Sequence, residues 1–476
     1  MTRQLNNAMF PLASALMGLV LAGCAVGPDY VQPKMDIPTA YKETGQWKTA
    51  QPMDETPRGD WWTVCQDPRL NQLMDTLNRQ SPTIAQAEAQ YRQAQAFLRQ
   101  AQAGLFPTVG ISASATRSSN GSGSANTFNN GSTSGRSGIS NSYDMGLTAS
   151  WEPDVWGRVR RSIESGRAQQ DASAAQLAAI RLSSQAQLAS AYLQLVVADQ
   201  QVKQLQESEN AFKEMLTLTQ NQVAAGTVSE ANVALAESQL KSAQAQTVDK
   251  KLTRAQLEHA IAAALGQSPS TFSLAASDLE PHLPQIPAGL PSTLLERRPD
   301  IAAAERTMAA ANAQIGVAKA AFFPTLTLSA SGGYSSNSFA NWISLPNRIW
   351  SLGPQLALTV FDAGLRKAQT DAAIAIYDAD VASYRFIVLA AFQAVEDNLA
   401  AQSMLDQEAE LQSAALVAAR RSETITRNQY RAGIVDYITV LTAENTRLTA
   451  EANLWTIKNR QYVSSVALIA AIGGQW

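Results

Sequence analysis

A cysteine set directly behind an apolar run and two small residues is the most chemically specific feature of this 476-residue sequence. Arg3 and the terminal amine precede an apolar stretch from Ala8 to Leu21, too short to span a bilayer as a helix but matched to the core of a signal peptide. The stretch closes on Leu21-Ala22-Gly23-Cys24, the arrangement a lipoprotein signal peptidase accepts. Residues 1–23 are therefore expected to be removed, leaving Cys24 as an N-acylated, diacylglycerol-bearing first residue of the palmitate type. An aspartate after such a cysteine usually keeps a lipoprotein in the inner membrane of a Gram-negative cell; Ala25 in that place directs the expectation to the outer membrane. An ordinary signal peptide with an incidental cysteine is the alternative.

Other reactive groups are scarce. Cys65 is the second of two cysteines, so the mature chain cannot form an intrachain disulfide, and Cys65 reads as a small buried apolar residue. The two histidines are His259, in an Ala-rich helical stretch, and His282, between prolines. One thiol and two imidazoles cannot by themselves complete a zinc site, and neither histidine has the surroundings of a nucleophile-histidine-acid triad. Nothing resembles a phosphate-cradling loop, because the glycine-rich stretches lack the lysine and following helix it needs. No catalytic, metal or cofactor-binding residue is assigned, and the chain is not expected to be an enzyme. With 37 basic against 40 acidic residues and no basic stripe, nucleic acid is not an expected partner.

The elements around these residues are set by a tandem duplication. Ser81-Pro82-Thr83-Ile84 opens a helical stretch that ends at Leu105-Phe106-Pro107-Thr108-Val109, and Arg298-Pro299-Asp300-Ile301 opens one that ends at Phe322-Phe323-Pro324-Thr325-Leu326, with identical spacing between the prolines. Asn221 to Gly226 is echoed by Asn428 to Gly433, and Glu237 by Glu444. After each Phe-Pro the pattern switches to alternation, apolar at Val109, Ile111, Ala113 and Ala115, then at Leu326, Leu328 and Ala330, which is strand periodicity. A partner strand follows in each half, apolar at Tyr143, Met145, Leu147, Ala149 and Trp151, and at Leu352, Leu356, Leu358 and Val360. The first hairpin's connection, roughly 117–142, is almost all Ser, Gly, Asn and Thr and reads as an exposed loop; the second, about 332–349, is shorter and more aromatic.

Long helices are expected over about 157–223, 229–265, 364–430 and 435–470. A stretch of about 65 residues runs ~100 Å, more than a single globular core needs. The faces carry recurrent alanine, including Ala189, Ala236 and Ala391, suited to close packing. The chain thus divides into a signal peptide, an extended segment 24–66, a first repeat 67–266 with its hairpin at about 106–153, a linker 267–291, and a second repeat 292–476 with its hairpin at about 323–361. Four strands cannot close a membrane barrel, because an open edge in lipid leaves backbone groups unpaired. Two copies would give about eight strands and a lumen filled by side chains, whereas three would give about twelve and leave an aqueous pore. A trimer is the expected assembly.

The chain resembles the outer-membrane efflux lipoproteins, the NodT-like branch of the TolC-type outer-membrane factors. The likeness covers essentially the whole mature chain and rests on Cys24-Ala25-Val26-Gly27-Pro28-Asp29-Tyr30, Trp61-Trp62 with Asp67-Pro68-Arg69-Leu70, Glu152 to Arg158, and Phe361 to Arg366. The resemblance implies a mainly α fold with a membrane β-barrel: a homotrimer with a twelve-stranded barrel continued by a periplasmic α-barrel of twelve helices, and a belt from about 267–291 and the chain ends. It implies an outer-membrane multidrug-efflux channel that meets a periplasmic adaptor and an inner-membrane pump, commonly proton-driven, and itself uses no cofactor. The helix-tip turns, Gly226, Thr227 and Val228 with Gly433, Ile434 and Val435, would carry the adaptor contacts. The periplasmic gate would involve Tyr430, an apolar ring at Ile438, and a carboxylate ring whose family position holds Thr442 here. Asp436 and Glu444 are the nearest carboxylates; the alternative is that both are solvated helix-surface charges, and that Tyr430 is a packed helix-end aromatic. Paired Trp61 and Trp62 are expected to pack in the belt. An exit duct for polypeptides and a pore-free, lipid-anchored periplasmic scaffold are the competing functions.

Overall fold

The computed structural model of the chain describes residues 25–33, 59–119, 139–277 and 297–474. Cys24, His282 and parts of the N-terminal segment, the first hairpin's connection and the linker lie outside them. Among the described residues the α-helices are α1 (Pro68–Gln80), α2 (Pro82–Ala103), α3 (Arg158–Ala224), α4 (Glu230–Ala264), α5 (Pro299–Ala320), α6 (Leu365–Arg431) and α7 (Tyr437–Ala471). The strands are β1 (Thr108–Ser119), β2 (Ile139–Trp151), β3 (Thr325–Ser336) and β4 (Arg348–Ala357). The duplication is visible in the lengths: α3 and α6 have 67 residues each, α4 and α7 have 35, α2 and α5 have 22. Two units form, one from Gln93–Asp171 and Arg306–Val381 with the N-terminal residues to Pro33, the other from Lys34–Arg92, Ala172–Glu305 and Ala382–Trp476.

The first unit holds one antiparallel sheet in the order β1-β2-β3-β4. Its register puts the apolar positions of neighbouring strands opposite one another: Val109 faces Ala149 and Ile111 faces Leu147, Ala149 faces Ala330, and Ala330 faces Leu352. One face is therefore apolar across all four strands, and because side chains alternate, the other carries Ser112, Thr148, Ser331 and Ser351. On the polar face Asp144 accepts from the hydroxyls of Ser142 and Ser335, and Ser331 and Ser351 share a hydrogen bond of 2.8 Å. Most of the apolar face is uncovered in this chain, with Ile111 68% and Leu352 76% exposed, while Phe339 and Trp342 pack against Tyr143 at one end of it. Both hairpins run further than their sequence pattern indicates. β1 and β2 stay paired out to Ser119 and Ile139, with Ser118 and Ser140 hydrogen-bonded at 2.8 Å, so serine hydroxyls extend the ladder where apolar alternation has stopped. At the other end β4 stops at Ala357, leaving Leu358 and Val360 beyond the strand.

In the second unit Trp61 and Trp62 are buried edge-on at 5.9 Å, in a short turn ahead of α1, in keeping with a packing role. Asp67 caps α1 and its second oxygen accepts the Tyr192 hydroxyl at 2.6 Å. Cys65 is buried as expected, and burial pushes its thiol up to about 11. Ala189, Ala236 and Ala391 are all buried, the close packing that the alanine-rich faces permit. His259 lies on an exposed face of α4. No helix among the described residues is long and apolar enough to cross a membrane.

Candidate gate at the helix tips

The chain reverses between α3 and α4 and between α6 and α7 by the same turn, because each repeat places a glycine where left-handed backbone is required. Gly226 has φ +75° and Gly433 φ +72°. In the first turn the Gly226 N–H donates to the Val223 carbonyl and the Thr227 N–H to the Gln222 carbonyl, at 2.8 and 2.9 Å; Gly433 to Tyr430 and Ile434 to Gln429 repeat this at 2.9 Å each. That pattern satisfies the last carbonyls of each helix. It also sets which side chains project. Thr227 and Ile434 are exposed, Ile434 by 71%, whereas Val228 is half-buried and Val435 packs against the cluster beneath the turn.

That cluster is the junction of all four helices. Met215 of α3, Ala236 of α4, Tyr430 of α6, and Tyr437 and Val440 of α7 pack together. The Tyr430 hydroxyl donates to Gln222 Oε1 at 2.6 Å, tying α6 to α3, and Gln239 Nε2 of α4 donates to Asn445 Oδ1 of α7 at 2.8 Å. Tyr430 is thus both packed, 5% exposed, and hydrogen-bonded. These two neutral bonds link the α3–α4 hairpin to the α6–α7 hairpin.

The carboxylates divide. Asp436 is exposed and caps α7, accepting from the Thr439 N–H at 3.0 Å and from its hydroxyl, bonds that hold its carboxyl below the usual range. Glu444 is 1% exposed, so it is not a solvated helix-surface charge; it lies between α6 and α7 under Arg427, which donates to it. Burial raises the Glu444 carboxyl above its ordinary value, partly opposed by Arg427. Ile438 is 58% exposed, and Thr442, also exposed, donates its hydroxyl to the Ile438 carbonyl at 2.8 Å, so the two share one face of α7.

Sequence reasoning missed the neighbours of Glu444. Arg427 also pairs with Glu423 at 2.6 Å, Arg447 with Glu423 at 3.1 Å and Glu451 at 2.6 Å, and Arg420 with Glu451 at 2.5 Å. Six alternating charges therefore bind α6 to α7. Their i,i+4 pairs, Glu423 with Arg427 and Arg447 with Glu451, were the available signal. The first repeat has Leu216, Gln220, Leu240 and Gln244 at the matching positions, and its hairpin is closed by Phe212, Leu240 and Ala243 with Leu216 instead.

The chain matches the outer membrane efflux protein family over residues 73–267 and 290–474. The probable efflux pump outer membrane protein TtgC of Pseudomonas putida strain KT2440 is 30% identical over 468 residues, covering 98% of this chain and 95% of TtgC. The pyoverdine export outer membrane protein OpmQ of the same strain is 32% identical over 434 residues, covering 90% and 91%. Among solved structures, the outer-membrane channel OprN superposes with a TM-score of 0.84 at 32% identity, over 95% of this chain and 100% of OprN. The open-state MtrE outer membrane channel of Neisseria gonorrhoeae gives 0.80 at 28% identity, over 95% and 98%. The mainly α fold with a membrane β-sheet, expected from the sequence, is shared with these channels along nearly the whole chain. On these grounds the chain belongs to the outer membrane efflux protein family and is an outer-membrane channel component of an efflux system.

Proposed function

We propose that three copies close their four-stranded sheets into one twelve-stranded barrel and conduct drugs, solvents and other small amphiphiles from periplasm to exterior. The observation that carries this reading is the sheet, apolar across one face, polar across the other, and without a strand partner on the outer edges of β1 and β4 among the described residues. Such a sheet suits lipid on one side and water on the other only when its edges are paired. The substrate class is supported by relatives named as components of toluene, solvent and antibiotic pumps. Cys24 carries the N-acyl diacylglycerol anchor, and the chain does no chemistry of its own. The tip turns, with Thr227 and Ile434 exposed, receive a periplasmic adaptor coupled to a proton-driven inner-membrane pump.

Closure of the periplasmic end rests on Ile438, presented on the same face of α7 as Thr442, on the exposed charge of Asp436, and on the Tyr430–Gln222 bond between hairpins. Glu444 acts by holding Arg427 and the α6–α7 pair in register. Single-channel conductance of the purified protein in planar bilayers tests this. Wild type is expected to form stable pores of low conductance, raised in Tyr430→Phe and in Asp436→Ala. Folded protein that forms no pores would overturn the conduction reading, and pores unaffected by either change would remove those residues from the gate.

A further inference from the structure

Residues 25–29, directly behind Cys24, occupy a socket built from both repeats where the sheet gives way to helices. The Arg161 side chain in the first turn of α3 is 5% exposed and donates to the Val26 carbonyl at 3.3 Å, the Gly27 carbonyl at 3.4 Å and Asp29 Oδ1 at 2.7 Å. The Val26 N–H donates to the Trp156 carbonyl at 3.1 Å. From the second repeat, Asn312 Nδ2 of α5 donates to the Pro28 carbonyl at 3.1 Å. Glycines make the fit. A Cβ on Gly157 would stand 2.7 Å from Ala25 Cα, and one on Gly316 would stand 2.9 Å from the Val26 carbonyl oxygen. Gly27 itself, at φ +113°, lies so close that a Cβ on it would sit 2.5 Å from Gly316 Cα.

The duplication supplies an internal control. Because α3 and α6 are equal in length, and α2 and α5 likewise, positions can be matched from the helix starts. Ala368 then stands for Arg161, Arg99 for Gly316 and Gln95 for Asn312. A Cβ on Gly364, the match of Gly157, would meet open space. Among the described residues the socket therefore occurs once, around the N-terminal segment. Most of its contacts are to backbone carbonyls and to glycine, so it reads the register of the segment more than its side chains.

We infer that residues 25–29 are a clasp that ties the sheet-to-helix junction of the first repeat to that of the second and fixes where residue 24 enters the membrane. The second part rests on the proposed acylation of Cys24 and on the sheet lying in the bilayer. A lipid chain attached anywhere along a free N-terminal segment would tether the protein; one attached immediately before this socket also has a set position on the barrel's rim.

Hydrogen exchange of the mature protein, purified from membranes in detergent and read by mass spectrometry, tests the clasp. In wild type the Val26 amide, whose N–H is held by the Trp156 carbonyl, should exchange about 100-fold more slowly than in Gly316→Leu or Gly27→Val, with β2 equally protected in all three. Gly27→Val changes only the clasp side of the contact, so it keeps the test valid should Gly316→Leu fail to fold. A wild-type segment that exchanges as fast as in Gly27→Val would overturn the proposal. Labelling with radioactive palmitate separates the two readings: label together with protection supports both, whereas protection without label leaves the clasp standing and overturns the acylation on which the anchor's position depends.

Discussion

Tyr430 and Tyr437 face the same cluster, their rings 5.9 Å apart, yet their hydroxyls differ in kind. The Tyr430 hydroxyl bonds Gln222, whereas the Tyr437 hydroxyl is buried with no hydrogen-bond partner among the described residues, and burial pushes it up to about 12. A buried hydroxyl without a partner has lost its water and gained nothing. Tyr437→Phe is therefore expected to leave stability unchanged or raise it by up to about 1 kcal/mol, and Tyr430→Phe to lower it by about 1 kcal/mol. Denaturant unfolding of the two variants checks this, and a larger loss from Tyr437→Phe would be the contrary result. Arg427→Met should do more harm than either, about 3 kcal/mol, since it leaves the Glu444 carboxylate buried beside Glu423 without its cation. Of these residues Tyr430 was legible only through the family resemblance, which matches it to a tyrosine at the helix tip; the first repeat has Val223 in its place. The role of Tyr437 was not, because two tyrosines in neighbouring helices look alike until the register of the helices decides which one meets a glutamine.

At the scale of elements the two helical hairpins share a length, a turn and an apolar contact, but only the second adds a charge ladder. The α3–α4 pair meets through Phe212, Leu240 and Ala243, whereas the α6–α7 pair adds to an apolar contact of Leu416 and Ala419 with Ala450 the six-charge ladder from Arg420 to Glu444. The turns and helix ends could be read from sequence to within about two residues, since glycine and capping residues act locally. The ladder could not, because it depends on how two 67- and 35-residue helices slide past one another. Its pH dependence follows from the direction of two shifts. The folded Glu444 carboxyl is raised above its ordinary 4.5, so the folded state holds that proton more firmly than the unfolded chain, and stability from this group falls as pH rises through the raised value. Asp436 is lowered from 3.8 and acts in the opposite sense, contributing stability that is lost as pH falls through its depressed value. Glu444→Gln should thus narrow the loss of thermal stability between mildly acidic and neutral pH relative to wild type, while Asp436→Asn should soften the loss on the acid side. Thermal unfolding across that range decides, and a Glu444→Gln curve parallel to wild type would show that Glu444 is not the titrating group.

For the whole molecule the decisive property is that the four strands share one apolar face, a property of register that period-two alternation alone carries in the sequence. Alternation was clear where Val, Ile and Leu marked it, and lost in the serine-rich ends, where only the ladder from Ser118 to Ser140 shows that pairing continues. Ala330 and Ser331 give the sharpest test of the assembly, being consecutive residues of β3 on opposite faces near the middle of the sheet, paired with Leu352 and Ser351. If the apolar face meets lipid, a cation at Ala330 must be carried into hydrocarbon at about 2–4 kcal/mol per chain, three times over in a trimer. A cation at Ser331 would face water and cost little. Ala330→Arg is expected to deplete heat-resistant trimer in outer-membrane fractions, whereas Ser331→Arg should assemble normally and shift the pore's ion selectivity towards anions, since its charges would line the lumen. Equal assembly of the two variants would mean that the apolar face is covered by protein instead of lipid, and the closed twelve-stranded barrel would have to be given up.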